Sequence, residues 1–146
     1  MCGLVGIVAN HPVNQEIYDA LTVLQHRGQD SSGIMTDDNG VLCLRKSNGL
    51  VSDVFSQEDM ATLRGNIGIG HVRWATHGVP NDVNSHPHYS NSGRLVIIHN
   101  GIIENYEPLK KELISRGYTF QSDTDTEVLI NLIEEVQKTE NLKLGK

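Results

Sequence analysis

Met1-Cys2-Gly3-Leu4-Val5-Gly6-Ile7-Val8-Ala9 opens the chain, with a cysteine in second position and an apolar, strand-like run directly behind it. If Met1 is removed, Cys2 carries a thiol and a free α-amino group on one carbon. The thiolate is a strong nucleophile, and free cysteine titrates at about 8.5. An α-amine titrates at about 8, so its neutral form accepts a proton near working pH. One residue then supplies nucleophile and base, as N-terminal threonines do. Taken alone, Cys2 fits better as a small residue behind the start methionine. The rest of the chain changes that balance.

Outward from this run, Gly33–Thr36, Val41–Leu44, Ile67–Val72 and Leu95–His99 also read as strands. Gly65-Asn66-Ile67-Gly68-Ile69-Gly70 is glycine-rich, but its alternating apolar residues indicate a strand rather than a phosphate loop. Asn14 is placed to cap a helix carrying Ile17, Leu21 and Leu24 on one face. A second helix is expected from about Tyr106 to Arg116, with Gly117 as its stop. A third begins at Thr124, where Glu127 completes a capping box and Leu129, Leu132, Ile133 and Val136 form an apolar stripe. The order suggests an α+β fold of helices layered on an antiparallel-leaning sheet.

Composition bounds the partners. The 146 residues leave room for one domain, and 38% hydrophobic with 21% charged residues permits a packed core. Twelve basic against eighteen acidic residues give a net charge of -6, which argues against nucleic acid or anionic lipid as a partner. The apolar runs are too short to cross a bilayer, and no basic-then-apolar leader opens the chain. Two cysteines make no disulfide framework, so a soluble, cytoplasmic protein is expected, with Cys43 in a packing role. Glycine, at 14 residues, exceeds the usual share of about 7% and sits mostly beside the strands, where backbones or a ligand come close.

Attack on an amide needs donors for the developing oxyanion. His99-Asn100-Gly101 offers an amide side chain and a glycine N–H at a strand end, although Asn-Gly is also a common turn. A substrate bearing an α-carboxylate and an α-amine needs a fixed cation and a fixed anion. Arg73 ends a strand and leads into the loop Trp74-Ala75-Thr76-His77-Gly78, and Asp125 stands at a helix start. Either charge alone reads more simply as a solvated or dipole-matched residue.

Together with the opening run, Gln25-His26-Arg27-Gly28-Gln29-Asp30-Ser31-Ser32-Gly33 and Gly70-His71-Val72-Arg73-Trp74-Ala75-Thr76-His77-Gly78 resemble class II glutamine amidotransferases. So do Val83-Asn84-Ser85-His86-Pro87-His88, His99-Asn100-Gly101-Ile102-Ile103-Glu104-Asn105 and Ser122-Asp123-Thr124-Asp125-Thr126-Glu127-Val128, in family order across almost the whole chain. The resemblance implies an N-terminal nucleophile hydrolase, an αββα sandwich, in which Cys2 attacks the side-chain amide of L-glutamine. Ammonia leaves, and water frees glutamate from a γ-glutamyl thioester. By the same resemblance Asn100 and Gly101 form the oxyanion hole, and Arg27 helps organise the nucleophile. Arg73 pairs with the substrate carboxylate and Asp125 holds its amine. Thr76 and His77 add contacts, Trp74 gates ammonia, and His86 lies in a loop bordering the site.

Residues 12–73 are more similar to amidophosphoribosyltransferase, and from Trp74 onward the chain is more similar to glucosamine-6-phosphate synthase. A hybrid or designed sequence fits this split, as does a natural paralogue with features of both. The family's domain continues past the third helix, so residues 1–146 are expected to be a glutaminase domain incomplete at its C-terminus, without an acceptor, synthase or transferase domain. Uncovered sheet edges would favour homo-oligomers. The rival to an enzyme is a domain that keeps the fold without turnover. No cofactor or metal is expected: His71, His77, His86, His88 and His99 crowd the middle of the chain, but only His86 and His88 are closely spaced.

Overall fold

The computed structural model describes residues 2–25, 30–73 and 81–143. In chain order the elements are β1 (Gly3–Val8), α1 (Asn14–Leu24), β2 (Ser31–Asp38), β3 (Val41–Asn48), α2 (Val51–Val54) and α3 (Gln57–Thr62). They continue with β4 (Ile67–Arg73), β5 (His88–Tyr89), β6 (Val96–Ile97), α4 (Tyr106–Ser115) and α5 (Asp125–Thr139). One sheet has the order β1-β4-β2-β3, antiparallel throughout, and β5 pairs with β6 in a separate ribbon.

Alternation in β4 sets the layers. Its even-numbered residues face α1, so closely that a Cβ on Gly70 would lie 2.6 Å from Ile17 Cγ2 and 3.0 Å from Leu21 Cδ1. Glycine here lets a helix rest on bare backbone. The core follows on this side: Val13, Ile17, Leu21, Ile34, Val51, Val54, Phe55, Leu63 and Val72 are all buried, with Leu24 and Cys43 packed at its edge. On the opposite face Gly33 meets the segment leading into β5, and a Cβ there would overlap the His86 carbonyl oxygen. Beyond the ribbon, α5 packs on β5 and β6 and beside α4. Helix, sheet, ribbon and helix therefore stack in the expected αββα order.

Several local expectations need correction. The strand expected over Leu95–His99 shrinks to Val96–Ile97, while those in β2 and β3 run longer than their apolar cores. Asn14 is not the cap of α1. Val13 holds that position, and the Asn14 amide instead donates to the Met60 carbonyl at 2.8 Å, tying α1 to α3. Helix α4 ends as expected, with Gly117 N–H on Ile114 O and Tyr118 N–H on Leu113 O.

In α5, Thr124 accepts from Glu127 N–H, but the Glu127 carboxylate reaches past the cap to Gln121 and Ser122 N–H at 2.7 and 2.8 Å. The buried face of α5 is largely polar, with Asp125, Glu127, Asn131 and Glu134 inside. The expected stripe is only half-buried at Leu129, Leu132 and Ile133, and Val136 is exposed. Loops outcompete the stripe because buried carboxylates bring their hydrogen-bond partners with them. Glu134 takes Ser90 Oγ and Ser92 Oγ, and Asn131 Oδ1 accepts Asn91 N–H at 2.9 Å.

Candidate active site

Strand register assembles the site. Gly3 lies opposite Val72 and Leu4 opposite His71. One step past that ladder Cys2 comes beside Arg73, which pairs on its other side with Ser31 of β2. By the same alternation Cys2, His71 and Arg73 belong to the sheet face turned away from α1. Cys2 is half-buried and forms no disulfide. Arg73 is buried, and burial pulls its guanidinium below the usual arginine range, opposed by the negative potential of Asp30, Cys2 and Asp125. Thiol, guanidinium and two carboxylates thus act on one spot at the end of the sheet.

The loop after β6 is tied down from both sides. Asn100 Oδ1 lies 2.7 Å from His71 Nε2, within hydrogen-bond distance. Gly101 has φ +153°, and a Cβ on it would sit 2.9 Å from His99 Nε2. His99 Nδ1 meets Thr126 Oγ1 at 3.3 Å, and Ile103 N–H donates to Asp125 Oδ2 at 2.7 Å. Asp125 is buried as the first residue of α5, so one carboxylate both braces this loop and adds its negative potential at Arg73.

His86 lies inside the wall of the site. Its ring stacks on His71 with centroids 4.3 Å apart and meets His88 edge-on at 4.7 Å. His88 Nε2 in turn meets Thr124 Oγ1 at 3.2 Å. Burial pushes His71 down to about 4, with Arg73 and His99 adding to it against the Asn100 bond, and carries His86 and His88 well below the ordinary histidine range. These rings are therefore neutral at pH 7. The His71–His86 stack sets two faces together, and among the described residues no group of three His, Cys, Asp or Glu could hold a metal ion.

Of the residues expected from the sequence, Cys2, Arg73, Asn100, Gly101, Asp125 and His86 are brought to this end of the sheet. Arg27, Trp74, Thr76 and His77 lie outside the described residues. Sequence reasoning gave His71 no role beyond a discounted metal ligand, although its place two residues before Arg73 puts both on one strand face. It also missed Lys46, whose Nζ donates to the Ser85 and Pro87 carbonyls at 2.7 and 2.9 Å. Burial lowers Lys46 to about 8. A cleft of about 440 Å³ lined by Leu44, Lys46, Asp82, His88, Tyr89 and Glu127 does not include Cys2, Arg73 or Asn100. No helix among the described residues is long and apolar enough to cross a membrane.

Known proteins resemble this chain in sequence and in fold. A glutamine amidotransferase domain profile matches residues 56–144. Glutamine–fructose-6-phosphate aminotransferase of Pyrococcus horikoshii is 48% identical over 135 residues, covering 92% of this chain and 23% of that protein. Its counterpart in Bacteroides thetaiotaomicron is 46% identical over 145 residues, covering 99% of this chain and 24% of its own length. The chain thus spans about a quarter of the curated relatives it matches.

Among solved structures, glutamine phosphoribosylpyrophosphate amidotransferase from B. subtilis, complexed with ADP and GMP, superposes with TM-score 0.78 at 36% identity. That match covers 92% of this chain and 29% of the other. A structure described as the allosteric regulatory enzyme of purine biosynthesis gives TM-score 0.79 at the same 36% identity. At such coverage the likeness to each enzyme includes both halves distinguished in the sequence. The αββα order is that of the N-terminal nucleophile amidotransferases, and with the profile match covering more than half of its residues, the chain belongs to the glutamine amidotransferase domain family.

Proposed function

We propose that the chain, once Met1 is removed, hydrolyses the side-chain amide of L-glutamine to glutamate and ammonia through Cys2. One observation carries the reading: buried Arg73 lies in the field of both Cys2 and Asp125, beside an Asn100 held in place by His71. The guanidinium suits the α-carboxylate of glutamine, and Asp125 suits its ammonium group. The Cys2 thiolate adds to the amide carbon, and the oxyanion takes hydrogen bonds from Asn100 Nδ2 and Gly101 N–H. The C–N bond then breaks, and the Cys2 α-amine passes the thiol proton to the leaving ammonia. Water attacks the thioester, gives a proton back through the α-amine, and glutamate departs with the thiol restored. Arg27, Trp74, Thr76 and His77 keep the roles that the family resemblance assigns them. Residues 1–146 act in this reading as a glutaminase domain in a cytoplasmic enzyme, supplying ammonia to a synthase or transferase domain. A hybrid origin for the chain is a separate proposal, tested by whether one uninterrupted gene encodes it.

A second reading, a domain that folds without turnover and self-associates, draws on the far end of the same sheet face. There the paired Val8 and Ile67 are 79% and 45% exposed. Intact-mass spectrometry with a glutamine-analogue electrophile separates the two, alongside glutamate assays of the parent and Cys2→Ala. The expected result is one adduct at Cys2 on the Met1-less chain, with hydrolysis absent in the variant. Equal hydrolysis in Cys2→Ala removes Cys2 from the mechanism. No adduct despite complete Met1 removal favours the domain without turnover.

A further inference from the structure

An asparagine amide is nearly symmetrical in shape, and Asn100 is solvent-exposed, so nothing in its own backbone decides which end faces a substrate. The choice matters chemically. Nδ2 toward the reacting carbonyl donates to an oxyanion, whereas Oδ1 in that place repels it. His71 makes the choice: its Nε2 lies 2.7 Å from Asn100 Oδ1, which occupies the oxygen and leaves Nδ2 for the other side. We propose that His71 is a positioning residue, whose Nε2–H fixes the Asn100 amide with Nδ2 directed to the substrate carbonyl at Cys2. The inference rests on the glutaminase reading given above.

The surroundings of His71 leave it one arrangement. The ring is 1% exposed, sits in the middle of the sheet between β1 and β2, and is stacked on His86 at an interplanar angle of 19°. Its Nδ1 has no hydrogen-bond partner among the described residues. A proton on Nδ1 would be a buried donor without an acceptor, and the Nε2 lone pair would then face the Asn100 oxygen. The Nε2–H tautomer avoids both costs. Because burial keeps the ring neutral at pH 7, it carries a single proton, and the tautomer alone decides how Asn100 is held.

Two measurements test this on the full chain. Long-range 15N–1H spectra of the histidines at pH 7 should show His71 as the Nε2–H tautomer. An Nδ1–H tautomer overturns the proposal whether or not glutamine is turned over. Steady-state kinetics then compare His71→Met, which removes the donor, with His71→Gln, which restores an N–H close to the Nε2 position. His71→Met should lower kcat by about tenfold to a hundredfold. KM for glutamine should stay within about twofold, His71→Gln should recover most of the loss, and the double variant with Asn100→Ala should be no slower than Asn100→Ala alone. Folded His71→Met with parental kcat, a Gln variant no better than Met, or additive losses in the double variant would each refute the role. Absence of Cys2-dependent hydrolysis in the parent refutes the glutaminase reading instead, and the tautomer still decides the His71–Asn100 bond.

Discussion

The two faces of β4 divide the molecule's tasks between alternate residues. Gly68, Gly70 and Val72 turn to α1, where the helix rests on the backbone and the neighbours are apolar. Ile69, His71 and Arg73 turn the other way, and the last two meet histidine rings, an amide and carboxylates. The first face tolerates no added atoms. The second tolerates buried polar groups because carbonyls and the start of α5 supply partners for them. A strand with period two can therefore keep stability and chemistry apart at neighbouring positions.

That division fails first at Gly33, where the polar layer meets the sheet through backbone alone. Gly33→Ala forces a Cβ into the His86 carbonyl oxygen, and neither partner is a flexible side chain. A loss of at least about 3 kcal/mol is expected, measured by thermal melting. Parental melting would mean that the two layers slide past one another. Leu21→Ala opens the apolar side and should cost about 2–5 kcal/mol in urea titration, with kcat per folded molecule unchanged. A proportional fall in kcat would show the faces to be coupled.

The remaining effect is spread over pH as a slope. Burial pushes His71 from the ordinary 6.5 down to about 4 in the folded chain, so the unfolded chain binds its proton first as pH falls. The stabilisation is fully present above pH 6.5 and is lost between 6.5 and about 4, at about 1.4 kcal/mol per pH unit. His86 and His88 shift in the same direction and steepen the fall. Leu21→Ala should lower that stability curve without changing its slope. A flat curve in the parent would place these histidines in water rather than in the wall.

Where one side chain decides an element, the sequence was readable. The alternation around Gly68 and Gly70 marked β4, Ile17 and Leu21 marked the inner face of α1, and Gly117 marked the end of α4. Long-range partners were not readable. The inner face of α5 became polar because Glu127, Asn131 and Glu134 find donors in loops that local periodicity does not register. Short α3 carried a usable signal in Ser56 and Asp59, which form a capping box, but its lack of buried residues leaves no periodic pattern. In the site, residue type pointed to Cys2, Arg73, Asn100 and Asp125, while the register that joins them is tertiary. His71 and Lys46 went unassigned for that reason: a histidine or lysine within a strand gains meaning only from what lies across from it.

Most residues are anchored by covalent bonds on both sides, but in a processed chain Cys2 has only one. Its aim depends on the first rung, where Gly3 faces Val72, and on Leu24, whose Cβ lies 2.9 Å from where a Gly3 Cβ would stand. The reactive group sits one residue beyond the outermost stitch of the sheet. Fraying of that stitch would leave the remaining ladder and core intact while misdirecting the thiol. Such a chain could look fully folded to every bulk measure and still be inert.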